Sequence, residues 1–180
     1  MSDGLNAEMT METLLDEYPG ARRALFSAFH IGGCQSCAYE LTDSLKKVCE
    51  ANEIPITEAI QTLKESQKHD SEMLISVKAF AEHLNENDAV ILDIRTREEH
   101  EAIALPGTDL MTQELQTKLF GEKGEDDLII LIDHQGRNVL DQCAWFRGHG
   151  LKRTFGVDGG IDRYAQEIDT SIPRYRLELD

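Results

Sequence analysis

Two short stretches of this 180-residue sequence have residue types and spacings suited to chemistry. In the first, "ILIDHQGRNV", Ile130 to Val139, an apolar run ends in Asp133. It passes through His134, Gln135, Gly136, Arg137 and Asn138 and turns at once into a helix-like segment. A strand feeding a short glycine-containing loop and then a helix N-terminus presents backbone N–H groups and the positive end of a helix dipole, a setting for phosphate, thiolate or oxyanion chemistry. Here the residue leaving the strand is itself an acid. Such a carboxylate can fill the anion cradle and cap the helix, an arrangement worth about 0.5 to 2 kcal/mol. The alternative, an acid/base or metal pair of Asp133 with His134, rests on adjacency alone. The second stretch, "GGCQSC", carries Cys34 and Cys37. A CxxC near a helix start lowers one thiol's pKa and can close a small disulfide, which suits thiol exchange or persulfide relay. Two soft ligands also suit zinc or an iron–sulfur cluster, but such sites take four. His30 and Cys49 are the nearest supplements, and a homodimer would also complete the set.

The elements that position these stretches follow from periodicity. From Met11 to about Lys68 apolar residues recur at spacings of three and four: Leu14, Leu15 and Tyr18, then Leu25, Ala28 and Phe29, then Leu45, Val48 and Cys49, then Ile56, Ile60 and Leu63. Four short helices fit, with Pro19 at the start of the second, Gly32-Gly33 at its end and Pro55 between the last two. The polar run Glu65 to Glu72 lacks an apolar anchor and reads as a linker. Beyond it, "AVILDI" (Ala89 to Ile94) and "LIILI" (Leu128 to Ile132) are continuous β-rich runs, as expected of strands buried on both faces. "TFGV", Thr154 to Val157, is a third. Helical runs at Phe80 to Leu84, Arg97 to Ile103, Gln113 to Phe120, Val139 to His149 and Ile161 to Ile168 alternate with them, which predicts an α/β domain with a mainly parallel sheet. The expected organisation is an all-helical CxxC module over 1–68, a linker over 69–73 and an α/β domain over 74–180.

Composition narrows the partners. Acidic residues outnumber basic ones 34 to 18, a formal charge of −16, so neither a nucleic-acid backbone nor an anionic membrane surface is expected to bind. The first ten residues lack a signal-peptide pattern, and no apolar run approaches a membrane span; the reading is a soluble cytoplasmic protein. Four cysteines with one close pair do not make a secreted disulfide framework.

"ILDIRTREEHEAIALPGT" resembles the opening signature of rhodanese-like domains, with Asp93, Arg95, Glu99, Pro106 and Gly107 at the matching places, and "GVDGGIDRYAQEI" resembles the family's closing Gly-Gly-Ile-x-x-Trp through Gly159, Gly160 and Ile161, with Tyr164 in place of Trp. The resemblance covers roughly Leu74 to Ile168. It implies the rhodanese-like fold and an active loop, Cys-x-x-Gly-x-Arg-Ser, between the two signatures. Aligning on Gly136 puts Asp133 at the cysteine, Asn138 at the arginine and Val139 at the serine, while Ile103-Ala104 replace a Gly-His pair. A carboxylate cannot form a persulfide, so ordinary sulfurtransferase turnover is not expected here. Gln135, Gly136, Arg137 and Asn138 remain the candidates for binding a small anion or sulfur donor.

"HIGGCQSCAYELTDSLKKVCEANEI" resembles a small helical family, the hybrid-cluster-protein-associated redox-disulfide domain, with Cys34 and Cys37 at its cysteine pair, Ser44-Leu45 at its Thr-Leu place and "TLLDEYPGARRAL" at its opening helices. The resemblance covers about Met11 to Glu65. The remaining chemical residues have plainer readings. Cys49 shares a stripe with Leu45 and Val48, Cys143 lies among Leu140, Ala144 and Phe146, His100 takes an aromatic core position, His30 caps a helix end and His69 is solvated. The expected function is a non-catalytic rhodanese-like protein with a CxxC thiol module, acting in sulfur or thiol-redox handling as a carrier or partner-binding protein. A metal or iron–sulfur accessory protein binding through Cys34 and Cys37, and a pure protein-interaction module, are the competing classes. No cofactor is required by the first reading.

Overall fold

The computed structural model describes residues 4–32 and 39–175, which form two compact units, Met1–Glu72 and Met73–Asp180. In the first unit the four periodic stretches are helices: α1 (Met11–Glu17), α2 (Ala21–Phe29), α3 (Leu45–Ala51) and α4 (Ile56–Ser71). Thr10 and Ser44 cap α1 and α3 by accepting the N–H groups of Thr13 and Lys47, and the two caps pair as an antiparallel bridge. The apolar stripes converge on Met11, Leu14, Leu25, Leu45, Val48, Cys49, Ala59 and Leu63, all buried. Cys49 is therefore a core thiol, and burial pushes its pKa up.

Two expectations for this unit are corrected. The second helix ends at Phe29, before Gly32: His30 adopts the left-handed conformation (φ 59°), and the Ile31 N–H reaches back to the Leu25 carbonyl while the Ile31 side chain is buried. Burial of Ile31 fixes the exit, and His30 takes the strained position a glycine would ordinarily hold. The polar run Glu65 to Glu72 is not a linker, because α4 continues through it to Ser71. Asp70 lies seven residues after Leu63 on the same helical face. It is buried against the N-terminus of α2, paired with Arg23, at a place where a Cβ on Gly20 would meet its carboxylate. A buried ion pair supplied the anchor that an apolar residue would have signalled. His69 in the same turn is well exposed, as expected.

The second unit alternates strand and helix: β1 (Leu74–Ile75), α5 (Val77–Glu86), β2 (Val90–Asp93), α6 (Arg97–Ala102), β3 (Asp109–Leu110), α7 (Gln113–Glu122), β4 (Ile129–Ile132), α8 (Val139–Gly148), β5 (Thr154–Val157) and α9 (Gly160–Glu167). The strands form one parallel sheet in the order β1-β5-β4-β2-β3. The apolar runs bury both faces as period two requires. Leu92, Ile129 and Leu131 pack with Val139, Cys143 and Phe146 on one side; Ile91, Ile130 and Ile132 pack with Phe80, Ile161 and Tyr164 on the other. Cys143 thus lies in the core, as expected. β1 and β3 have two residues each, too few to show a period.

The α8 helix lies so close to β5 that a Cβ on Gly156 would come within 2.7 Å of Val139 Cβ. Gly156→Ala is expected to cost about 1 to 3 kcal/mol through overpacking, whereas Gly148→Ala, with open space at its Cβ, serves as the neutral control. Thermal unfolding followed by the fluorescence of Trp145, the single tryptophan, reads this unit.

Candidate functional site

The β4 strand ends at Ile132, and the loop that follows is built around the Asp133 carboxylate. That carboxylate is almost fully buried, at 3% exposure. One of its oxygens accepts the Gly136 N–H and the other the Asn138 N–H at 2.7 Å, so it closes the loop onto the start of α8. Gly136 is required in two ways: its φ is +77°, and a Cβ would lie 2.5 Å from the Gly159 nitrogen. The first turn of α9 completes the seat. Ile161 N–H donates to the Asp133 carbonyl at 2.9 Å and Asp162 N–H to the His134 carbonyl at 3.0 Å, while Gly160 lies so close that a Cβ would clash with the same backbone. Gly160 is therefore there for close approach between α9 and the loop, whereas Gly159 holds a left-handed φ of +77° and a Cβ on it would meet the Arg163 side chain. Burial is the largest influence on the Asp133 carboxyl and raises its pKa above the ordinary 3.8, against the opposing N–H bonds of Asn138, Gly136 and Arg137.

His134 turns away from Asp133's oxygens. Its ring is buried, and neither Nδ1 nor Nε2 has a hydrogen-bond partner. The ring packs against Tyr175 with centroids 4.2 Å apart. Asp133 and His134 thus share no side-chain hydrogen bond of the acid/base kind, and each is held by different neighbours. Gln135, Arg137 and Asn138 are exposed along the outer side of the loop.

The end of β2 carries a second buried network. Arg95 grips Asp93 through both its Nε (3.0 Å) and Nη2 (2.6 Å), and the two side chains are 2% and 1% exposed. Arg95 also donates to the Ile103 carbonyl at 2.6 Å and to the Tyr175 hydroxyl at 3.0 Å; that hydroxyl donates in turn to Glu99 at 2.8 Å. Glu99 forms a capping box with Thr96 at the start of α6. His100 is not the packed aromatic expected from its position: its Nδ1 lies 2.8 Å from the second oxygen of Asp93, because Arg95 alone leaves that oxygen room for a further donor. Burial alone would raise the Asp93 pKa, but the bonds from Arg95 and His100 outweigh it and hold it below the ordinary value.

Of the residues singled out in the sequence, Asp93, Arg95 and Glu99 converge on one network, and Asp133, Gly136, Gly159, Gly160 and Ile161 on one loop seat. Cys34 and Cys37 lie outside the described residues. Among the described residues no group of three or more His, Cys, Asp or Glu side chains is arranged to hold a metal ion. Tyr175 and Arg174 escaped the sequence reading. They follow Pro173 beyond the last periodic helix, and an isolated aromatic after a proline carries no pattern that would mark it.

These pKa directions set opposite pH dependences. The lowered Asp93 pKa contributes stability that is present above about pH 3.8 and lost as pH falls through the folded value. The raised Asp133 pKa contributes stability that is present below about pH 3.8 and lost as pH rises through its folded value. Asp133→Asn is accordingly expected to flatten the decline of melting temperature on the rising side of pH 4, measured by Trp145 fluorescence. Arg95→Met strands a buried carboxylate and is expected to cost about 3 to 5 kcal/mol at neutral pH; His100→Ala, at a partly exposed partner, is expected to cost about 1 kcal/mol.

Comparison with known proteins places the second unit in a family. The model of the rhodanese-like domain matches residues 76–167. The thiosulfate sulfurtransferase GlpE of Pseudoalteromonas translucida is 24% identical over 100 residues, covering 56% of this chain and 95% of GlpE. A chloroplastic rhodanese-like/PpiC domain-containing protein of Arabidopsis thaliana is 29% identical over 97 residues, which is 49% of this chain but only 31% of the plant protein. A solved structure of a Rhodopseudomonas palustris protein of unknown function superposes with a TM-score of 0.47 at 20% identity, covering 60% of this chain and 89% of that one. No helix among the described residues is long and apolar enough to cross a membrane. With a matching family model over half its length, the chain belongs to the rhodanese-like domain family of sulfurtransferase-like proteins.

Proposed function

We propose that the rhodanese-like domain of this chain does not transfer sulfur through its own loop, and that the chain works in sulfur or thiol-redox handling as a carrier or partner-binding protein whose reactive thiols are Cys34 and Cys37. The observation that carries this reading is the seat of Asp133, whose carboxylate accepts the Gly136 and Asn138 N–H groups at the base of the loop. In the family pattern that position belongs to a cysteine whose thiolate the same kind of amide cradle would stabilise. Sulfur transfer from thiosulfate requires a thiolate to attack the sulfane sulfur, forming a new S–S bond as the old one breaks and sulfite leaves. A carboxylate has no sulfur with which to make that bond, and here it also occupies the donors that would hold an incoming anion.

The other thiols of the chain support the assignment by elimination. Cys49 and Cys143 are both buried in hydrophobic cores, the setting of inert rather than reactive cysteines. The CxxC pair, in a helical module resembling the redox-disulfide domain, has the spacing for disulfide closure or for passing a persulfide from one sulfur to the next. The strongly acidic surface favours a protein or small-molecule partner over nucleic acid. A cytoplasmic, reducing setting suits such a pair.

Incubation of the reduced full chain with thiosulfate or polysulfide is expected to add about 32 Da, one sulfur atom, by intact mass. The adduct is expected to vanish in Cys34→Ser and Cys37→Ser. In the background of both serine changes, Asp133→Cys is expected to regain an adduct on the loop. An adduct that survives both serine changes without Asp133→Cys would overturn the reading.

A further inference from the structure

After α9 the chain does not leave the domain. Asp169 accepts the N–H and hydroxyl of Ser171, and Ile172 N–H bonds the Asp169 carbonyl, forming a turn. The chain then runs back to the start of α9, where Arg174 pairs with Asp162 through Nε at 2.7 Å and Nη2 at 3.0 Å. Tyr175 ends the run with its ring on His134 and its hydroxyl between Arg95 and Glu99. Ile172 packs into the core cluster on that face. Together these residues wall off a narrow crevice whose other side is Ile103, Ile161 and Ala165.

We propose that residues 169–175 form a releasable strap that closes the His134 side of the loop, so that access to this face of the rhodanese-like domain is governed by the strap's attachment. Two features make the contact a device rather than ordinary packing. The closed form leaves both His134 nitrogens buried without partners, a cost that is relieved on opening because water can then bond them. The attachment is peripheral: among the described residues it consists of an ion pair with a half-exposed arginine, the partly buried Ile172 side chain, the Tyr175 ring on His134 and the Tyr175 hydroxyl between Arg95 and Glu99. Segments held so lightly open without global unfolding. Release frees the Arg95 Nη1 donor and both imidazole nitrogens at once, beside the Asp133 loop. The crevice they would form takes a ligand with a hydroxyl or anionic group that Arg95 can donate to. The strap does not depend on where the chain carries sulfur, so it stands or falls separately from the proposed function.

Diethyl pyrocarbonate labelling of the full chain, with modified histidines located by peptide mass, tests the strap. In the wild type His134 is expected to label roughly tenfold more slowly than exposed His69. Arg174→Ala with Tyr175→Ala is expected to bring His134 close to the His69 rate, while Cys143 stays shielded from a thiol reagent and so reports an intact core. Arg174→Ala alone, which removes only a surface ion pair, is expected to raise the His134 rate about twofold; it decides the matter by the same readout should the double variant lose Cys143 protection. A wild-type His134 that labels as fast as His69 overturns the proposal. So does an unchanged His134 rate in the folded variants.

Discussion

The loop after β4 is held from two directions, and the site depends on that double grip. The Asp133 side chain accepts N–H groups from the loop's far end, while the backbone carbonyls of Asp133 and His134 accept the first N–H groups of α9. One residue therefore caps two helices, with its side chain serving α8 and its main chain serving α9. The carboxylate is held by backbone N–H groups, and burial, the largest influence on it, raises its pKa. The arrangement makes a rigid, anion-filled cradle.

A second constraint works from β2. The Asp93–Arg95 pair is buried and bidentate; the remaining Arg95 donors reach Ile103 and, through Tyr175, Glu99, while the Asp93 carboxylate also meets His100. Buried ion pairs of this kind contribute little net stability but are costly to break, because the partner left behind is an uncompensated charge. Their use is to fix geometry. Here the pair fixes the exit of β2 and holds the residue after α6, while Arg95 Nη1 offers the strap's Tyr175 hydroxyl one donor.

How much of this the sequence carried depends on the kind of interaction. Long apolar strands were legible: Val90–Asp93 and Ile129–Ile132 are buried on both faces and read as unbroken β-rich runs. The glycines at 136, 159 and 160 were legible as motif positions, and the structure supplies the reasons: backbone approaches that leave no space for a Cβ at 136 and 160, and a left-handed turn at 159. The polar anchors were not legible. Asp70 looks like part of a solvated linker because nothing in its type signals burial against Arg23 and Gly20, and His100 looks like a core aromatic because its bond to Asp93 is a matter of three-dimensional placement. β1 and β3 are too short for periodicity, and Tyr175 stands outside any periodic element. Hydrophobic patterning repeats with a fixed period along the chain, whereas polar pairs follow none: His100 lies seven positions from Asp93, and Asp70 lies 47 from Arg23.

The proposed division puts sulfur chemistry on the CxxC pair and not on the rhodanese-like loop. Thiocyanate production from thiosulfate and cyanide by the chain carrying both Cys34→Ser and Cys37→Ser tests that division most directly. The account predicts a rate indistinguishable from the protein-free reaction, since the remaining thiols are buried and Asp133 cannot carry sulfur. Turnover above that background in the doubly substituted chain would contradict it.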